Sequence, residues 1–273
     1  MKQLKFLMVA FTLLMGVSFT SCLNDDAGES MYDGIGYVRT VMGSYFVDLY
    51  GNTYHPTMAS VTEMEAQGFK MSGTDLAQIA FKYVEDTPAT KAEGGTFTPQ
   101  DYRIKLVSAI AVDSYSTRYA SSVEDMEAIP ETAPIVTLEP TDNYGQTYKP
   151  WMYGAEMLVL PISWKIVYME NKEEMLKQHT MELVYINDES NESSTELVFY
   201  LRHNKGTDTK TDVFAVRNKA YDVKQIMSDF KGKHGSYPTT IRIKAKTDMD
   251  GAKLPEKYTD YTIENFKWNP SNQ

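Results

Sequence analysis

The chain has 273 residues, carries 37 Asp and Glu against 27 Lys and Arg, and has a formal net charge of -10. That balance excludes a protein built to neutralise phosphates, so nucleic acid is not an expected partner. A hydrophobic content of 42% is enough for buried cores, and the 19 tyrosines suit strands and binding surfaces alike.

The N-terminus divides into three parts. Lys2 and Lys5 place positive charge first. The uncharged run Phe6 to Val17 follows. It has the length of a secretory apolar segment and falls short of the about 20 apolar residues that span a bilayer. Ser18, Thr20 and Ser21 then bring small residues up to Cys22, the only cysteine in the chain. This pattern resembles a lipobox, with Phe19 where Leu is commonest. Residues 1–21 are therefore read as a signal peptide cut before Cys22, which takes the lipid anchor; firm anchoring needs more than one acyl chain. The competing reading is an ordinary secretion signal that ends near a cysteine. Asn24, Asp25 and Asp26 resemble the acidic surface-export signal of Bacteroidota lipoproteins. They point to the outer face of the outer membrane, although a solvated tether has the same composition. Residues 22–31 are read as that tether.

Residues 32–116 are expected to form a small OB-like barrel. Strand-like runs lie at Gly36 to Val41, Tyr45 to Tyr50 and Thr53 to Pro56, with turns at Gly43-Ser44 and Gly51-Asn52. Ser60 and Glu63 have capping-box spacing, which predicts a helix over Val61 to Gln67 ended by Gly68. Leu76 to Val84 reads as a strand, and Thr87 to Pro99 as an exposed loop. Tyr102, Ile104, Leu106, Ser108, Ile110 and Val112 are expected on one face of the next strand. Three strands, a helix and two strands is the element order of an OB-fold.

Residues 117–273 are expected to form a β-sandwich of antiparallel strands. A short helix is predicted over Val123 to Ala128. Strands are predicted at Ile135 to Leu138, at Met157 to Tyr168 with Pro161 as a bend or edge, and at Val213 to Val216. Met181 to Ile186 and Glu196 to Arg202 form a predicted hairpin across Asn187 to Ser194. Asp222 is read as the cap of a helix over Val223 to Phe230, closed by Gly232. Thr240 to Lys246 alternates with Ile241, Ile243 and Ala245 inward, and Tyr258 to Trp268 closes the chain. The whole is all-β with few short helices.

Residues suited to chemistry are sparse. His55, His179, His203 and His234 lie outside metal-ligand spacing, so they read as structural or exposed, and no metal or other cofactor is expected. Asp248, Asp250 and Gly251 could centre a calcium loop, but Lys246 and Lys257 would then occupy ligand positions, so a turn is the better reading. No serine-nucleophile motif is present, and the chain is not read as an enzyme. The best candidate ligand surface runs from Tyr144 to Tyr153, with Tyr148, Trp151 and Tyr153 as the contact residues. Such rings could stack on a sugar or grip a protein; the alternative is that they fill the entrance of a core.

Several stretches together resemble the NigD-like lipoproteins of Bacteroidota. They are the signal KFLMVAFTLLMGVSFTSC, then YDGIGYV (Tyr32 to Val38), GNTYHPT (Gly51 to Thr57), GFKMSGTDLAQIAFKYVED (Gly68 to Asp86) and LVFYLRHN (Leu197 to Asn204). The resemblance implies an N-terminal OB domain followed by a C-terminal β-sandwich. It also implies a binding or protective role, since the family takes its name from a bacteriocin locus in which a member was proposed to confer immunity. It carries over no functional residue except the acylated Cys22. A glycan-binding accessory lipoprotein and a structural envelope component are the other readings.

Overall fold

The computed structural model describes residues 31–84, 99–167, 176–187, 193–208 and 213–268. Cys22, the signal and all but the last residue of the tether lie outside this range, as does the 87–99 loop apart from Pro99. Contacts gather into two compact units that divide between Ser114 and Tyr115, within a long strand; the sequence reading put the domain boundary after residue 116.

The first unit contains β1 (Gly34–Val41), β2 (Tyr45–Val47), β3 (Thr53–Pro56), α1 (Met58–Ala66), β4 (Leu76–Tyr83) and most of β5 (Asp101–Ser116). Strand β1 pairs antiparallel with β2 and β4, β2 with β3, and β4 with β5, while β3 pairs parallel with β5. The ring β1-β2-β3-β5-β4 is therefore closed, and no strand edge is left open. Inside it lie Val38, Phe46, Tyr54, Ile79, Phe81, Ile104 and Leu106, with Met64 of α1 and Phe69 joining them.

Three local expectations shift. Strand β2 stops at Val47 rather than Tyr50, because Asp48 Oδ1 accepts the N–H groups of Tyr50 and Asn52 and draws them into a turn. Helix α1 starts a turn earlier, capped by Thr57, whose hydroxyl accepts from the Ser60 N–H at 3.4 Å. The single inward face expected for β5 breaks near Val107, where the pairing steps from Phe81–Leu106 to Ala80–Ser108. Beyond this bulge Ala109, not Ser108, packs on the barrel core.

The second unit contains β6 (Arg118–Ala120), α2 (Val123–Glu127), β7 (Trp151–Tyr153), β8 (Met157–Ile166), β9 (Thr180–Ile186), β10 (Glu196–Asn204), β11 (Val213–Asp222), α3 (Lys224–His234), β12 (Thr240–Ala245) and β13 (Thr259–Ile263). Strands β11, β8 and β7 lie side by side, and β13-β12-β10-β9-β6 form a second sheet. Residues of both sheets share one core, including Leu160, Trp164, Leu183, Phe199, Tyr221 and Ile243, with Ile226, Met227 and Phe230 of α3. Each such aliphatic side chain contributes about 1.5–3 kcal/mol by leaving water.

The sandwich is not wholly antiparallel as expected: β10 pairs parallel with β12, and β6 with β9. The connection from β10 to its parallel partner β12 runs through β11 and α3. Ile135 to Leu138 makes only single bridges, Ile135 to Thr247 and Thr137 to Ser163, although Ile135 and Leu138 are buried. Pro161 lies inside β8. Its missing N–H falls on the side away from β11, between the last β7 pair at Val159 and the Ser163–Thr137 bridge. Helix α3 runs past Gly232 and ends at Gly235, whose φ of 77° suits only a residue without a side chain.

Candidate functional site

The expected aromatic segment begins in a tight hairpin. Thr141 and Thr147 bridge, and their hydroxyl groups lie 2.9 Å apart. Asp142 Oδ1 accepts the N–H groups of Tyr144 and Gln146, and Oδ2 accepts the Tyr148 hydroxyl at 3.1 Å. Against a desolvation cost, those donors hold the Asp142 carboxyl below the usual carboxylate range. The loop is thus fixed by its own side chain, with Gly145 at φ 84° completing the turn. Tyr144 stands at its tip and is 88% exposed.

The three residues singled out from sequence separate in the structure. Trp151 and Tyr153 lie on the short strand β7 with ring centres 6.2 Å apart in an edge-to-face arrangement. Tyr153 is 3% exposed and serves the core. Tyr148 and Trp151 are half-buried, and Tyr144, outside that trio, offers the open ring. Trp151 and Tyr153 stand two apart on β7 and so share one strand face, on which only Tyr153 is fully buried.

A second constellation was invisible to spacing. His179 precedes β9 and His203 lies near the end of β10, and the pairing of Met181 with His203 brings them together. His179 Nδ1 and His203 Nε2 are 2.9 Å apart. His179 Nε2 lies 3.0 Å from Asp208 Oδ2, and His203 Nδ1 lies 2.9 Å from the Pro134 carbonyl. Asp208 Oδ2 also accepts the Val167 N–H at 3.0 Å. His179, His203 and Asp208 are all buried. Burial pushes the His203 imidazole down to about 4. It also lowers His179, against the pull of Asp208.

A third cluster is charged. Glu131 Oε2 lies 3.4 Å from Arg202 Nη1 and 3.2 Å from Lys246 Nζ, and both the Glu131 and Arg202 side chains are buried. These are ion pairs without hydrogen-bond geometry, since that oxygen has no hydrogen-bond partner. Arg202 spends its hydrogen bonds elsewhere, on the Ile129 carbonyl at 3.0 Å and the Tyr258 hydroxyl at 3.3 Å. Asp248 behaves as the expected turn residue, with its carboxylate accepting the N–H groups of Asp250, Ala252 and Lys253. Among the described residues, no three His, Cys, Asp or Glu side chains are placed to hold a metal ion.

No protein-family model matches the chain, and no curated protein matches it. Solved structures do. A candidate lipoprotein from Bacteroides fragilis superposes with a TM-score of 0.63 at 21% identity, covering 85% of this chain and 97% of that one. A Bacteroides vulgatus protein of unknown function gives 0.51 at 9% identity, covering 87% and 96%. A NigD-like immunity protein from Bacteroides caccae gives 0.46 at 11% identity, covering 83% and 91%. The two-unit all-β fold is what this chain shares with the first two.

Proposed function

We propose that the protein is a lipid-anchored envelope protein of the NigD-like kind, held by acylated Cys22 and acting by binding or protection rather than catalysis. The carrying observation is the lone Cys22 behind an apolar signal, ahead of a fold shared along 85% of the chain with a candidate Bacteroides lipoprotein. Among the described residues no helix is long and apolar enough to cross a membrane; acyl chains on Cys22 supply the attachment in this reading. Asn24, Asp25 and Asp26 support display on the outer face of the outer membrane. The most specific form of this role is immunity to a bacteriocin, in which the protein binds the toxin before it reaches its target. Membrane fractionation tests the anchor: wild type should sediment with the membrane, and Cys22→Ala should be released from it.

The rigid hairpin that presents Tyr144 favours a second reading, a glycan-binding accessory lipoprotein. An aromatic ring carried on a loop whose backbone is already held loses less conformational freedom on stacking against a sugar.

A further inference from the structure

Three contacts join Asp208, His179, His203 and the Pro134 carbonyl in a line. All four ring nitrogens are used, so turning either ring over would put carbon atoms at these contacts. Each contact needs one proton between its heavy atoms, and a carbonyl supplies none. Two neutral imidazoles carry one N–H each, which leaves one contact without a proton when Asp208 is ionised. We propose that this chain is a proton-binding site, holding one proton more than two neutral imidazoles and a carboxylate. With that proton the buried group is electrically neutral.

The order of donors follows from the ends. Pro134 only accepts, so His203 donates through Nδ1. Burial keeps His203 neutral, so its Nε2 accepts from His179 Nδ1–H. The extra proton then lies between His179 Nε2 and Asp208 Oδ2. Removing it would leave a net negative charge among side chains that are 0% and 1% exposed, with two acceptors facing each other.

Other charged and aromatic groups face the site. Lys219 on β11 is 5% exposed, hydrogen-bonds the Tyr115 hydroxyl at 2.8 Å, and sits 5.9 Å from the Trp164 ring centre. Trp164 of β8 lies 6.5 Å from His179, ring to ring. Lys219 and Lys205 both push the imidazoles toward the neutral form, so they set how readily the extra proton leaves. The chain ties Val167 at the end of β8, His179 ahead of β9, His203 in β10 and the segment at Pro134. Losing the proton cuts one of these ties.

The signs on the two sides of neutrality are opposite. In the unfolded chain histidine titrates near about 6.5 and aspartate near about 3.9. Above pH 7 the unfolded chain has shed its imidazolium protons while the folded chain keeps its extra one. Folding therefore weakens as pH rises, by up to about tenfold in the equilibrium constant per pH unit. Between about 6.5 and the folded His203 value of about 4, the unfolded imidazoles take up two protons against one. Folding weakens there as pH falls.

The test is ¹⁵N NMR of the histidine rings in the purified protein at pH 7, with unfolding measured from pH 5 to 9. Both rings should be protonated at Nδ1, and the unfolding constant should rise on each side of a minimum near neutrality. Asp208→Asn supplies a permanent donor to His179 at the expense of the Val167 contact. It should remove the alkaline slope and steepen the acid one, where the unfolded imidazoles take up two protons against none. A count of two protons overturns the proposal: a bare Nδ1 on His203, or His179 protonated only at Nε2 beside a neutral His203. So does an alkaline slope in wild type no steeper than in Asp208→Asn. If that variant does not fold, the wild-type slope above pH 7 decides, and a flat one overturns the proposal.

Discussion

Tyr144 and Tyr153 bracket one aromatic segment, yet one is open to solvent and the other is closed in the core. Tyr153→Ala should cost about 3 kcal/mol, as for other large core truncations, while Tyr144→Ala should stay within about 0.5 kcal/mol. Urea denaturation of the two variants measures both. If Tyr144 is a contact residue, its loss lowers binding alone. Arg202 offers a sharper case, because Glu131 is buried against it. Arg202→Met should cost about 3–5 kcal/mol by leaving that carboxylate with Lys246 alone. Adding Glu131→Gln should recover part of the loss, and a denaturant double-mutant cycle reads it. The sequence showed that aromatic rings cluster here but not which ones face water, since that depends on what packs over the segment rather than on its own spacing. The histidine chain was within reach: His179 and His203 flank the open end of the predicted hairpin. Asp208 was not, because it arrives through the turn after β10, where its N–H bonds the Lys205 carbonyl.

At the scale of elements, α3 separates two glycines that sequence treats alike. Gly232 lies inside the helix with open space around it, while Gly235 ends it at φ 77°. Gly232→Ala should stabilise by about 0.5–1 kcal/mol, and Gly235→Ala should destabilise by about 1–2 kcal/mol. Thermal unfolding of the pair checks the sign of each. The sequence reading ended the helix at Phe230 with Gly232 closing it, since a glycine just past the last apolar residue is a helix stop signal. Strands with clean alternation, such as β12, were legible to within a residue. Strand β11 was legible only at its start. Its later part, Arg217-Asn218-Lys219, reads as loop, and it becomes strand by pairing with Ile162, Pro161 and Leu160. The bulge in β5 had no local signal, because it depends on the register against β4.

For the whole molecule, element order alone carried the OB reading, and the parallel β3–β5 pairing closes the barrel as that order requires. The sandwich was legible as a class. Its parallel pairs, β10 with β12 and β6 with β9, were not, since they follow from the connections between strands rather than from any strand's own residues. The membrane attachment belongs to this scale too. As proposed, it rests on Cys22, and among the described residues no helix is long and apolar enough to cross a membrane. Radiolabelled palmitate fed to whole cells expressing wild type or Cys22→Ala, followed by protease shaving, tests the central claim most directly. Label on wild type only, with the protein lost on shaving, is the predicted result. Wild type without label contradicts the lipid anchor, and labelled protein that survives shaving contradicts display on the outer face.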